Sequence, residues 1–384
     1  MLNLNDQIEI TIEKMANEGK GLGRFNNQII FVPYSAPGDR LKVTITKLAK
    51  NFAEANIIEI INPSANRITA PCPYYGECGG CNFQHLDYPS QLEQKTFLVK
   101  EALENFLKQK DLPFKNSIPS PKIFNYRNRI QIHNKNNQIG FYKRKTHEVL
   151  PIKNCMIAED PLNEHLSKMV PSELAPMDKL ELYLDTSLQV QQRFIDNKKN
   201  TSFFSQVNRF QNSNLVAVVV DLSNKNQNFS SIVDLYAGAG NFSFPLSEAH
   251  PNKKVFAVEL STDLINEGRR LQSKTAKPRL EKLHFVQSPV ELFVQNFKLD
   301  SNDFILLDPP RTGCSPEVIY LLGAAKRNQI LYISCNYLTL GRDLALLKNT
   351  AQNWGLNLSV DFFQCFDMFP QTDHIEVMAS LSIS

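Results

Sequence analysis

The chain has 384 residues, 42% hydrophobic and 21% charged, which suits two or three packed domains and excludes global disorder. No apolar run approaches the roughly 18 residues of a membrane-crossing helix, and MLNLNDQIEI lacks the pattern of a secretory leader, so a cytoplasmic monomer away from membranes is expected. Net charge is only +3 but lopsided, with 20 Lys+Arg against 14 Asp+Glu in residues 1–150 and 22 against 25 in the rest, so the front half suits a polyanion.

Residues 1–60 alternate in short runs, QIEITIEKM, QIIFVPYS, RLKVTITKL and NFAEANIIEII, punctuated by Gly21, Gly23, Asn26-Asn27 and Pro37-Gly38. Strands at such close spacing predict a small β-barrel. Next comes PCPYYGECGGCNFQHL, with Cys72, Cys78 and Cys81, and Cys155 follows 74 positions after Cys81. An odd total of seven cysteines without a leader argues against disulfides and for metal binding or catalysis. Four thiolates can hold an iron–sulfur cluster or a zinc ion. Gly76, Gly79 and Gly80 let backbone amides turn toward sulfur, which favours the cluster. A helix is expected over about 88–110, capped by Ser90.

Residues 121–185 read as strand and loop. Their first part, 121–147, holds seven Lys/Arg and no acid, interleaved with Phe124, Tyr126, Phe141 and Tyr142. Cations bind phosphates and aromatic rings stack on exposed bases, so this segment is expected to face RNA.

From about residue 190 the pattern changes. Apolar runs at 232–236, 255–258, 283–286, 304–307, 330–333 and 356–363 are mostly separated by helix-like segments. That predicts an α/β doubly wound sheet, whose strand ends carry the ligands. In IVDLYAGAGNFSFPL, Gly238 and Gly240 permit a tight turn and close ligand approach. Ser243 stands where a dinucleotide fingerprint needs a third glycine, so a nucleoside without pyrophosphate, S-adenosylmethionine, fits better. Glu259 ends the next strand and can accept both ribose hydroxyls. Asp308-Pro309-Pro310-Arg311 follows FILL, where methyltransferases acting on amino groups place an aromatic residue after the second proline.

Cys335 follows ILYIS at another carboxyl end of the same sheet. Carbon 5 of uracil is too weak a nucleophile for a methyl sulfonium, and a thiolate adding to carbon 6 activates it. Glu376, in HIEVM, is the candidate base for the carbon-5 proton. A base edge must leave its stack for such chemistry. Cys314 and Cys365 have no comparable setting and read as structural.

Laid out in order, these residues resemble the RNA uracil-5-methyltransferase family, in the branch carrying a TRAM domain and an iron–sulfur cluster. The motifs are GKGLGRFNNQIIFVPYSAPGDRLKV, CPYYGECGGC with Cys155, FFSQVN, DLYAGAGNFSFPL, FAVE, DPPRTG, ISCN and HIEVM. The resemblance implies a class I S-adenosylmethionine methyltransferase fold over 191–384, an OB-like TRAM barrel over 1–60 and a small iron–sulfur domain over 61–190. It implies cofactor contacts from Gln206, Tyr236, Asn241, Glu259 and a position near Ser288, with Asp308 between cofactor and base. It further implies a four-iron cluster on Cys72, Cys78, Cys81 and Cys155, Cys335 as nucleophile, Glu376 as base, and 23S ribosomal RNA as substrate. A transfer-RNA uracil-54 enzyme and a non-catalytic RNA-binding paralogue are the alternatives. Two positions depart from the family pattern: Tyr337 stands where proline usually follows the nucleophile motif, and Ser288 where asparagine is frequent.

Overall fold

The structure, a computed structural model, describes residues 2–173, 179–195, 206–225, 228–275, 280–297 and 299–384. No helix among them is long and apolar enough to cross a membrane. The chain divides into two compact units. One comprises Met1–Leu98, Pro121–Lys199 and Phe369–His374, the other Val99–Ser120, Asn200–Met368 and Ile375–Ser384.

The first unit begins with a closed five-stranded barrel of β1 (Gln7–Ala16), β2 (Lys20–Phe25), β3 (Gln28–Pro33), β4 (Arg40–Leu48) and β5 (Phe52–Asn62). Alternation drives it: in β1, Ile8, Ile10 and Ile12 turn inward onto Val32, Leu41 and Val43, while the residues between face water. β2 was not expected, because Gly21 and Gly23 read as turn punctuation. They sit inside the strand for a packing reason. A Cβ on Gly21 would come within 2.1 Å of Ser35 Oγ, and one on Gly23 within 2.6 Å of the Thr11 carbonyl oxygen.

Helix α1 (Tyr88–Leu107) matches the expected helix, but its cap differs. Asp87 Oδ1 accepts the Ser90 N–H at 2.8 Å, and Ser90 lies buried in the first turn. Five strands follow in a second sheet: β6 (Arg129–Lys135), β7 (Gln138–Tyr142), β8 (Val149–Pro151), β9 (Leu180–Leu184) and β10 (Val190–Phe194). The short helix α2 (Asp160–Lys168) interrupts them where only strand and loop were expected. It starts at Asp160 with Pro161 in its first turn and carries His165 and Lys168 in its last, and proline suits a helix N-terminus as cations suit its C-terminus.

The second unit is a seven-stranded doubly wound sheet. After α3 (Arg209–Lys225) come β11 (Ser231–Leu235), α4 (Ser243–Ala249), β12 (Lys254–Glu259), α5 (Thr262–Lys274), β13 (Leu283–Gln287) and α6 (Val290–Asn296). Then follow β14 (Phe304–Leu307), α7 (Pro316–Gly323), β15 (Arg327–Ser334), α8 (Tyr337–Asn353), β16 (Leu358–Phe366) and β17 (Glu376–Ile383). The strand order is β13-β12-β11-β14-β15-β17-β16. The first five run parallel, and β17 runs antiparallel to both neighbours. β11 and β14 are buried throughout, as strands covered by helices on both faces must be. The chain reverses between β11 and β14, and the carboxyl ends on either side of that point form the ligand edge.

Candidate active site

Five parallel strands deliver a candidate residue to the same edge. β11 leads into Tyr236, β12 ends on Glu259, β13 leads into Ser288, β14 into Asp308 and β15 into Cys335. β17 enters from the opposite direction, so its first residue, Glu376, also arrives here. Val377 pairs with Ser334, directly beside Cys335. A residue far away in sequence thus joins the nucleophile candidate because one strand is antiparallel.

The turn after β11 is strained and open. Tyr236 has φ 65°, Gly238 58° and Gly240 98°. A Cβ on Gly240 would meet Phe244 at 2.9 Å, whereas one on Gly238 would meet nothing within 4 Å. Gly238 therefore leaves room beside an exposed backbone, which is what an approaching ligand needs. Glu259 fixes this loop by accepting the Gly238 N–H at 3.1 Å and the Ser261 N–H at 2.8 Å. Its carboxylate still has lone pairs for ribose hydroxyls. The Ser288 N–H donates to the Glu259 carbonyl at 3.1 Å. Asn241 exchanges hydrogen bonds with Asn212 of α3, at 2.8 and 3.1 Å. Gln206 lies just before α3, while Phe203, Phe204 and Ser205 of the FFSQVN motif fall outside the described residues. The donor set fits S-adenosylmethionine: a glycine cradle, an acid with lone pairs to spare and no third-glycine phosphate site.

Two acids lie deep beside this turn. Asp234, fully buried in β11, accepts Ser243 Oγ at 2.5 Å. Burial pushes its carboxyl up to about 7, and the Glu259 charge adds to the shift. Asp308 is raised by burial and then by the Asp234 charge. At the other end, Glu376 is 2% exposed. Burial holds its carboxyl well above the usual range, Asp308 pushes the same way, and Arg311 opposes both. The Cys335 thiol is pushed up to about 12 by burial, then by Glu376 and Asp308, and pulled back by Arg311 through charge and a hydrogen bond. Among the described residues Arg311 is thus the one cation that favours the thiolate, whereas its place after Pro310 in the sequence suggests only an absent aromatic. Cys314 and Cys365 are both buried.

In the first unit, Cys72, Cys78, Cys81 and Cys155 line one cavity of about 140 Å³ together with Arg127 and Phe141. Burial, and after it the neighbouring thiols, pushes Cys78 up to about 11 and Cys81 up to about 12. The Gly80 N–H donates to Cys78 Sγ at 3.4 Å. Asn163 pins Cys155 by accepting its N–H at 2.8 Å. Among the described residues, no three His, Cys, Asp or Glu side chains stand close enough to clasp a single metal ion.

The basic segment 121–147 is less open than its composition implied. Tyr126 is fully buried and donates to the Pro370 carbonyl at 2.9 Å. Phe141 packs on the apolar core beside β6 and β9. Tyr142 stacks on His133 with centroids 3.5 Å apart, and Arg129 pairs with Glu181. Arg144 lies over the Tyr34 ring at 4.7 Å.

The sheet order, the glycine turn and the acid on the second strand define a class I S-adenosylmethionine-dependent methyltransferase. Comparison with known proteins supplies the family. A family model described as tRNA (Uracil-5-)-methyltransferase matches residues 172–383, and a TRAM domain model matches 3–58. The chain belongs to this family and is an RNA uracil-C5-methyltransferase that uses S-adenosylmethionine. It is 35% identical to an uncharacterised RNA methyltransferase of Bdellovibrio bacteriovorus, across 99% of this chain and 96% of that one. It is 28% identical to the tRNA (uracil(54)-C(5))-methyltransferase of Schizosaccharomyces pombe, across 98% and 78%. Among solved structures, Pyrococcus abyssi tRNA (uracil-54, C5)-methyltransferase in complex with S-adenosyl-L-homocysteine shares the fold. There the TM-score is 0.72 at 23% identity, covering 97% of this chain and 100% of that one.

Proposed function

We propose that this chain, working as a cytoplasmic monomer, methylates carbon 5 of one uridine in 23S ribosomal RNA, with Cys335 as covalent nucleophile and Glu376 as base. The observation that carries the chemistry is the convergence of Cys335, Arg311, Asp308 and Glu376 at one sheet edge. S-adenosylmethionine, which Gln206, the Tyr236–Asn241 turn, Glu259, Ser288 and Asp308 would hold, would supply an electrophilic methyl group and leave as S-adenosylhomocysteine. Cys335 Sγ, as thiolate, bonds to carbon 6 of the flipped base, and the displaced electrons make carbon 5 nucleophilic. After carbon 5 is methylated, the Glu376 carboxylate takes its proton. The electron pair reforms the 5,6 double bond and expels the thiolate. Burial gives Glu376 a higher proton affinity than a carboxylate in water, as this step demands.

Cys72, Cys78, Cys81 and Cys155 would hold a four-iron cluster, supported by their shared cavity and by the amide donated to Cys78. A bound cluster would cross-link Cys155 to the 72–81 loop and so order the basic segment that precedes it. Together with the TRAM barrel, the cysteine set favours ribosomal RNA. Uridine 54 of transfer RNA is the second reading, favoured by the name of the Schizosaccharomyces pombe relative.

Methyl-labelled cofactor with purified ribosomal and transfer RNA separates the two, since label confined to transfer RNA rejects the first. The chemistry is tested on the same RNA. Cys335→Ala should lower turnover at least a thousandfold. Glu376→Gln should instead accumulate a protein–RNA adduct that survives denaturing electrophoresis. An active Cys335→Ala variant would refute the mechanism.

A further inference from the structure

We propose that the first two turns of α8 form a clamp that holds Arg311 against Cys335, with Asn336, Thr339, Arg342 and Asp343 as positioning residues. The proposal rests on the reading of Cys335 as nucleophile. Arg311 sits on an exposed turn, Pro310–Gly313, closed by the Gly313 N–H on the Pro310 carbonyl at 2.8 Å. A lone turn of this kind would let a long side chain wander. Here Arg311, Thr312 and Cys314 are each hydrogen-bonded to α8 or to its cap.

The Arg311 carbonyl accepts Asn336 Nδ2 at 3.1 Å and Thr339 Oγ1 at 3.3 Å. The Thr312 carbonyl accepts Arg342 at 2.8 Å. The Cys314 N–H donates to Asp343 Oδ2 at 2.9 Å. Gly313 has φ 79°, and a Cβ there would lie 2.4 Å from Asp343 Oδ2, so the turn can close on the helix only with glycine. Asp343 is buried and held from two sides. Tyr332 OH donates to it at 2.6 Å from β15, and Arg342 donates at 2.6 and 2.8 Å. Tyr332 stands three residues before Cys335 on the same strand.

Asn336 joins the two halves. Its Oδ1 caps α8 by accepting the Leu338 N–H at 3.1 Å, while its Nδ2 holds Arg311. The residue next to the nucleophile therefore fixes both the helix start and the cation's backbone. Cys335 and Arg311 consequently move as one body. The chemical result follows from the surroundings of the thiol. Burial, Glu376 and Asp308 all oppose its ionisation, and among the described residues Arg311 alone favours it. If the guanidinium drifts, the thiolate loses that cationic neighbour.

The test uses the full-length protein carrying Thr339→Val and Arg342→Met, substitutions at a partly exposed helix face that leave Asp343 and Tyr332 in place. Iodoacetamide labelling of Cys335 is followed against pH by peptide mass spectrometry. We expect the profile to move up by about one unit, so that labelling near pH 8 slows about tenfold. Turnover should fall by a similar factor, with KM for S-adenosylmethionine within about twofold, and Arg342→Lys should recover part of the labelling rate. An unchanged labelling profile overturns the clamp, whatever happens to turnover or melting temperature. Because labelling reads the thiol directly, the outcome is separate from the nucleophile reading, which full activity in Cys335→Ala would sink by itself.

Discussion

Cys335 shares its pocket with two acids that oppose its ionisation and one guanidinium that favours it, and burial adds to the side of the acids. The same burial acts on Asp234, where its consequence for stability can be isolated. The Asp234 carboxyl is raised from an ordinary 3.8 to about 7. The unfolded chain therefore releases this proton first as pH rises. The contribution of Asp234 to stability is fully present below about pH 4 and is lost as pH climbs to about 7. We expect Asp234→Asn to remove that slope. In calorimetry at pH 4 and pH 7 the variant should gain on the native chain by roughly 1.4 kcal/mol for each unit crossed. Equal differences at the two pH values would show that the acid is not buried protonated.

At the scale of elements, the loop between β11 and α4 separates two uses of glycine. Both Gly238 and Gly240 have left-handed backbones, which cost a side-chain-bearing residue about 1–2 kcal/mol. Only Gly240 also faces a clash, with Phe244. Gly238→Ala should fold with about that penalty yet bind S-adenosylmethionine at least tenfold more weakly, since its Cβ would occupy the open cradle. Gly240→Ala should lower the melting temperature more. Titration calorimetry alongside thermal unfolding distinguishes them, and unaltered affinity in Gly238→Ala would remove the cofactor from this turn. The Tyr337 departure also belongs here. Proline commonly opens a helix because its φ is preset. This chain opens α8 with Tyr337 and secures the start through the Asn336 cap instead.

At the scale of the molecule, the chemistry divides between the two compact units. The cysteine set lies in one, and the cofactor edge with Cys335 lies in the other. On the proposed cluster reading, Cys155→Ser should abolish bound iron and visible absorption while leaving S-adenosylmethionine affinity within about twofold. Full iron content in that variant would exclude Cys155 as a ligand.

Much of this was legible in the sequence because it depends on local periodicity. Alternating runs specified four of the five barrel strands, and continuous apolar runs between helices specified the parallel sheet, with Gly238, Glu259, Asp308 and Cys335 each falling at or just after a strand end. These features rest on a residue's near neighbours, which the sequence displays directly. What the sequence could not show depends on distant neighbours. Gly21 and Gly23 looked like turn residues, because the atoms that crowd them come from Ser35 and Thr11. Tyr126 looked like a stacking ring, but its hydroxyl is satisfied by Pro370, 244 positions away. Arg311 looked like a missing aromatic until folding placed it beside Cys335. The sequence by itself determined the layers and the motifs that fall at the strand ends. Only the tertiary structure decided which charges surround the thiol, because burial and Coulomb interactions depend on distances in space that chain spacing does not encode.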